Sequence, residues 1–427
     1  MIFLDPMWDF SGKMDWVQGW RRLCPRAIRR GGHASAKSII TTTLHFHHQP
    51  SRDILSALQA RQLDFFDPLT CAIHRSYSLL APSHNRARMG ALLTKNELPV
   101  EGRTVLITGG SKGLGLAAAQ QLAAKGANLI IVARGQESLS TALRSVTQSA
   151  RNSETQRFHS IQADVTTSKV CSRVISEATE WNDGHPPDIV WCCSGSAHPT
   201  LFADTPIEQF QTMMDSNYFS CVYMAHATLN AWLRHNPKPA ITDKCGPKGP
   251  AQPARHIIFT GSFVSFYSFA GFTPYAPSKA AIRSLSDSLS QEMNLYATSR
   301  PELPRMRIHT VFPATMHTQS CADEDAVKSD LTKSLEEGDQ ILEPEECARR
   351  AIRGLEAGEE LVATSLIIRA VMASVLGGAI RGGFWKGLAN TVLGWITAMV
   401  MVFIRWEMDT KVRKWGAEHG PSGYRKE

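Results

Sequence analysis

Tyr275 and Lys279 stand four residues apart in Tyr275-Ala-Pro-Ser-Lys279. On a helix this spacing stacks the two side chains on one face. A free phenol, with a pKa of roughly 10, is a poor acid or base near neutrality. A lysine cation beside it favours the phenolate and lowers that value, which makes the pair usable for proton transfer at physiological pH. Pro277 is tolerated only in a first helical turn, so the helix is predicted to begin close to Tyr275. Ser262 lies 13 residues earlier, at the end of an apolar run, where its hydroxyl can donate to the same substrate oxygen. Asn217, in Met214-Asp-Ser-Asn217-Tyr, falls in the middle of a predicted helix, where propensity disfavours an amide. Read singly, each residue has an ordinary explanation. Read together and in this order, they suggest acid–base chemistry on an oxygen.

A second motif supplies the partner for such chemistry. Thr108-Gly109-Gly110-Ser111-Lys112-Gly113-Leu114-Gly115 follows an apolar run and opens an amphipathic one. Glycines so placed make a tight turn, let the backbone approach a pyrophosphate and let the helix pack on the strand. The helix start supplies free N–H groups for the phosphates. Gly109, Ser111, Lys112, Gly113 and Gly115 are therefore candidate dinucleotide ligands. The second apolar run ends in Ala133-Arg134, where an acidic residue would bind a ribose 2′-hydroxyl. An arginine there pairs instead with a 2′-phosphate, so Arg134, with Ser111 and Lys112, points to NADP(H). Asp164-Val165, after the third run, sits where an adenine amino group needs an acceptor.

These residues need a scaffold that gathers them. Apolar runs at 104–108, 128–133, 158–163, 188–193, 256–260 and 307–312 alternate with helix-length stretches such as 114–125, 207–233 and 280–296. Such alternation implies a parallel sheet buried on both faces. With right-handed crossovers it is a doubly wound, Rossmann-type α/β fold with helices on both faces. Its ligands sit at the carboxyl ends of the strands, which is where Ser262 and the glycine loop fall. The Pro-, Lys- and Gly-rich segment 236–254 reads as an exposed loop before the fifth strand.

In this order, the motifs resemble the short-chain dehydrogenase/reductase family over residues 99–318. The matching elements are the Thr108–Gly115 loop, Asp164-Val165, Asn217, Ser262, Tyr275, Lys279, Pro313 and Thr318. Cys192-Cys193-Ser194-Gly195 departs from the usual Asn-Asn-Ala-Gly, and Pro313-Ala314 from Pro-Gly. Leu98–Gly110, the Cys-Cys-Ser-Gly-Ser strand end, Gly271–Tyr275 and Ala281–Leu285 are similar to the 3-ketodihydrosphingosine reductase subfamily. The resemblance implies NADPH-dependent reduction of 3-ketosphinganine at the endoplasmic reticulum membrane, with the catalytic domain facing the cytosol. It further implies that Tyr275 protonates the nascent alkoxide, Ser262 stabilises it, Lys279 holds the nicotinamide ribose and Asn217 anchors a relay water. A homo-oligomer is usual for the family. Other lipid ketones (steroid, retinoid or fatty-acyl) are alternative substrates, and a non-catalytic NADPH-binding sensor or scaffold is the reading from another class.

Bulk properties bound the rest. The chain has 427 residues and a net charge of +7, with 12 Lys/Arg and 6 Asp/Glu in residues 1–88 against 34 and 33 in the remainder. The main body thus lacks a nucleic-acid footprint. The nine cysteines have no CxxC pair and no metal-ligand spacing, and read as reduced packing thiols. Residues 1–88 read as a disordered extension, or as sequence ahead of a true start at Met89; the Arg-rich part from Arg21 only faintly resembles a presequence. The reductase domain is expected over 99–358, an apolar membrane-associated region over 361–404 and a basic polar tail over 405–427. Residues 388–404 carry no charge and as a helix would run about 26 Å, short of the ~30 Å hydrocarbon core. An interfacial or re-entrant anchor is therefore expected, with a pair of helices covering the substrate cleft or forming a subunit interface as the alternative.

Overall fold

The apolar runs form one seven-stranded sheet. In the computed structural model, which describes residues 96–235, 253–339 and 341–425, the strands are β1 (Thr104–Thr108), β2 (Asn128–Ala133), β3 (Phe158–Gln162), β4 (Ile189–Cys192), β5 (Arg255–Thr260), β6 (Met306–Phe312) and β7 (Leu361–Ala363). Their order is β3-β2-β1-β4-β5-β6-β7, all parallel. The expectations for residues 1–88 and for most of the 236–254 loop lie outside the described residues.

Strand side chains alternate between faces, and both faces are apolar. Val105, Ile107, Leu129 and Ile131 face one layer. It is made by α1 (Gly113–Ala124), α2 (Gln136–Gln148) and a later helix, Pro344–Glu356. Leu106, Ile130, Val132 and Val190 face the other, made by α3 (Ser168–Trp181), the chain from 207 to 234 and a long helix from Ala276 to Ser299. Burial on both faces explains why the strands read as unbroken apolar runs.

The predicted helix over 207–233 is three pieces: α4 (Ile207–Met213), a π-helical turn at Met214–Phe219, and α5 (Ser220–Arg234). The wider turn is centred on Asn217. After it come α6 (Ala276–Ser299), α7 (Gln319–Val327), α8 (Asp330–Leu335) and α9 (Pro344–Glu356). Tyr275 is the N-cap of α6, and Pro277 lies in its first turn, as its sequence predicts.

Two boundaries differ from the sequence reading. The sheet extends past residue 358, because Leu361–Ala363 pairs with β6 and is buried with Phe312. The helix that follows, α10 (Leu366–Leu376), packs Ile368 and Met372 on the same cluster. The region after 404 is not a separate tail: α11 runs unbroken from Phe384 to His419. Its far end returns to the domain, with Trp415 packed on Leu331 and Leu335 of α8. Leu331 N–H donates to Gly423 O at 3.0 Å and Trp415 Nε1–H to Ser422 O at 2.9 Å. The chain end thus straps α8 in place.

Candidate active site

The glycine loop is a cradle that side chains would fill. A Cβ on Gly109 would stand 2.8 Å from Ser194 N, and one on Gly115 2.3 Å from Gly109 O. Gly109 and Gly113 also hold φ of +68° and +54°, the left-handed region that glycine adopts without penalty. The space over Gly113 opens toward the Thr318 methyl, 3.5 Å from a Cβ placed there. The loop lies between the ends of β1 and β4, where the strand order reverses. This is the crevice that holds dinucleotides in such sheets. The N-terminus of α1 points its free N–H groups into it. A nicotinamide dinucleotide fits these residues. Ser111 is half-buried at the loop, while Lys112 and Arg134 are exposed. Asp164, also exposed, accepts from Thr166 N–H at 3.1 Å, and Val165 is buried beside it.

The proton-handling residues meet at the same end of the sheet. Ser262 follows β5, and its N–H donates to Ser265 Oγ at 3.2 Å. The Ser265 hydroxyl in turn donates to Lys279 O at 3.0 Å. Ser265 therefore ties the end of β5 to the first turn of α6, which fixes Ser262 against Tyr275. The Ser262 hydroxyl lies near enough to the Tyr275 phenol to favour its ionised form. Lys279, 5% exposed, donates from Nζ to Thr260 O at 2.9 Å, and Nζ lies 5.6 Å from the Tyr275 ring centre.

One sequence expectation is reversed here. Tyr275 is not lowered by Lys279. Burial pushes its phenol up, the Glu324 carboxylate adds to that, and only the Ser262 hydroxyl opposes. Burial likewise lowers Lys279. A cation held 5.6 Å from the ring and bonded to a carbonyl does not offset desolvation of the phenolate. In this state Tyr275 is a protonated donor.

Asn217 is fully buried, and both amide hydrogens are used: Nδ2 donates to Ser196 O at 2.9 Å and to Met213 O at 3.0 Å. Its Oδ1 accepts from Ser196 N–H at 3.2 Å. The amide thus clamps the loop after β4 to the π-helical turn. A Cβ on Gly195 would stand 2.3 Å from Asn217 Oδ1 and 3.6 Å from Lys279 Nζ, so only glycine lets these two side chains share that corner. Gly195, Thr260, Ser265 and Glu324 belong to the site and were not singled out by spacing. Gly195 was legible in the Cys-Cys-Ser-Gly turn; the other three carry no sequence signal.

Six cysteines lie among the described residues, all as free thiols. Cys193, where the wider family has a different residue, accepts from Thr260 Oγ1 at 3.5 Å, beneath the carbonyl that holds Lys279. At the second departure, Ala314 N–H donates to Thr364 Oγ1 at 2.8 Å, which anchors the loop after β6 to β7.

Residues 103–327 match the short chain dehydrogenase family. The chain is 41% identical over 336 residues to the 3-ketodihydrosphingosine reductase of Aspergillus fumigatus, a match spanning 76% of this chain and 88% of that protein. It is 38% identical over 335 residues to the 3-ketodihydrosphingosine reductase of Neurospora crassa, spanning 78% and 88%. A short-chain type dehydrogenase/reductase from Mycobacterium ulcerans has the same fold, with a TM-score of 0.50 at 19% identity over 62% of this chain and 89% of that one. The chain belongs to the short-chain dehydrogenase/reductase family of nicotinamide-dependent oxidoreductases, where the relatives it matches are 3-ketodihydrosphingosine reductases.

Proposed function

We propose that this chain reduces 3-ketosphinganine to sphinganine with NADPH at the cytosolic face of the endoplasmic reticulum membrane. The observation that carries the chemistry is the gathering of Ser262, Tyr275 and Lys279 at the carboxyl end of β5, with Lys279 Nζ 5.6 Å from the Tyr275 ring centre. The pyrophosphate would lie on the loop N–H groups of 109–115, with Ser111 and Lys112 beside it. Arg134 would take the 2′-phosphate and Asp164 the adenine amino group. When bound, the nicotinamide supplies the hydride for the ketone carbon.

The chain's own residues handle the oxygen and its proton. Ser262 holds the ketone oxygen by a hydrogen bond and stabilises its growing charge. Tyr275, kept protonated by burial, donates its proton to that oxygen. Lys279 turns from Thr260 O toward the ribose and the phenol, and stabilises the phenolate left behind. Asn217 holds the backbone of 196 and 213 fixed, which keeps open a solvent path for reprotonation past Gly195.

The C-terminal helices suit a lipid substrate. Within α11 the stretch Gly387–His419 holds an 18-residue window with a mean hydropathy of 1.8, long and apolar enough to cross a membrane. Yet both ends of this helix rest on the same domain. Gly394 approaches Ala373 of α10 so closely that a Cβ would stand 2.5 Å from its carbonyl, and Trp415 packs on α8. A helix held at both ends lies along the surface more readily than across a bilayer. Trp395, Ile396, Met399, Val402, Phe403 and Trp406 are all exposed and recur at helical spacing, as an interfacial anchor requires. The test is turnover in detergent with 3-ketosphinganine. The wild type oxidises NADPH, and Tyr275→Phe lowers the rate by orders of magnitude while still binding NADPH. Near-normal turnover in that variant would refute the assignment.

A further inference from the structure

We propose that Glu324 binds the ammonium group of the substrate and so selects a 2-amino ketone over a simple ketone. This rests on the reading that the substrate is 3-ketosphinganine, whose amino group sits on the carbon next to the ketone.

Three consecutive acids lie on α7: Asp323, Glu324 and Asp325. They are treated differently. Asp323 is exposed and accepts from Gln319 Nε2 at 3.0 Å. Asp325 is exposed and paired with Lys328 at 2.8 Å. Glu324 alone is drawn inward, half-buried, and its charge is felt at both Tyr275 and Lys279. Its helix begins at Thr318, whose methyl faces Gly113 of the cradle. The charge of Glu324 thus acts on the proton donor from α7, the helix that borders the cradle.

Glu324 also lacks a partner of its own. Among the described residues it makes no ion pair. The nearby cation, Lys328, is engaged by Asp325 at 2.8 Å and by Glu336 at 2.6 Å. Burial and the neighbouring Glu336 and Asp325 push Glu324 up to about 6, against the pull of Lys328 and Lys279. A desolvated carboxylate without a counter-charge is costly. A cation arriving with the ligand relieves that cost. With the ketone oxygen on Ser262 and Tyr275, the amino group one carbon away is the ligand's only cation.

The same contact couples recognition to proton transfer. An empty Glu324 raises the Tyr275 phenol. A bound ammonium cancels that charge, so proton donation is eased only when an amino ketone occupies the site.

The test compares 3-ketosphinganine with 1-hydroxyoctadecan-3-one, which lacks the amino group, in wild type, Glu324→Gln and Glu324→Asp. The expected result is that the wild type prefers the amino ketone in kcat/KM. In Glu324→Gln that preference falls about ten- to hundredfold, the worth of a charge-assisted hydrogen bond, and Glu324→Asp restores part of it. Equal losses on both ketones, with the preference intact, would show a merely structural role and overturn the assignment. So would a wild type that reduces both ketones equally well, although ketone reduction itself would then stand. A wild type that reduces neither would overturn the substrate reading, and this assignment with it.

Discussion

Arg134 offers the cleanest perturbation, because its removal should touch the cofactor and nothing else. The side chain is exposed at the carboxyl end of β2 and makes no hydrogen bond or ion pair among the described residues. Only its backbone carbonyl is engaged, by Gln162 Nε2 at 2.9 Å. Replacing it therefore costs no packing and leaves no orphaned partner. A charge-assisted guanidinium–phosphate contact is worth about 1.5–3 kcal/mol. Exposure and salt screening place Arg134 at the lower end, about 1.5–2 kcal/mol. At 1.4 kcal/mol per tenfold, Arg134→Ala should weaken NADPH binding about 10- to 30-fold. NADH, which lacks the 2′-phosphate, should bind the variant and the wild type alike. The assay is titration of nicotinamide fluorescence at two salt concentrations, with the NADPH loss shrinking at high salt. Equal weakening of both cofactors, or no weakening of either, would refute the 2′-phosphate role and with it the preference for NADPH.

Other consequences follow from the packing. Gly115→Ala places a Cβ 2.3 Å from Gly109 O, backbone against backbone; NADPH affinity should fall at least about tenfold, with about 1–3 kcal/mol lost in stability, read by fluorescence titration and thermal unfolding. His309, fully buried on β6, donates from Nδ1 to Glu359 O at 2.8 Å, so its Nε2 accepts from His256 of β5 at 3.0 Å. Burial lowers His309 to about 3, below an unfolded value near 6.5. The unfolded chain thus binds the extra proton, and stability, complete above pH 6.5, is lost as pH falls toward 3. At pH 4.5 the loss is about 2–3 kcal/mol; His309→Gln, which cannot take the proton, should flatten that slope in urea unfolding. Truncation after His419 frees α8 from Gly423 and should raise KM for the lipid ketone several-fold while KM for NADPH holds. Replacing Trp395, Phe403 and Trp406 with serine should abolish co-flotation with liposomes and leave NADPH binding intact.

Most of the scaffold was legible because its strands are buried on both faces and so appear as unbroken apolar runs. Six strands fall within two residues of their predicted ends. The seventh, Leu361–Ala363, was not separable, since it runs into the apolar helix α10 and periodicity cannot divide three residues from such a run. The π-helical turn at Asn217 left no signature, because a shift in backbone hydrogen bonding needs no particular residue type. The order Gly loop, Asn217, Ser262, Tyr275, Lys279 was readable because each position answers to a local requirement of turn, strand end or helix spacing. The direction of the Tyr275 shift was not, for it depends on how deeply the fold buries the phenol. Glu324 escaped for the same reason: nothing in Asp-Glu-Asp says which acid turns inward.

The most direct measurement is product formation from 3-ketosphinganine by the purified chain in detergent, followed by mass spectrometry alongside cofactor absorbance. The account predicts sphinganine formed one-for-one with NADPH consumed, little with NADH, and almost none in Tyr275→Phe. Tight NADPH binding without sphinganine would contradict the substrate assignment, and turnover that survives in Tyr275→Phe would contradict the mechanism.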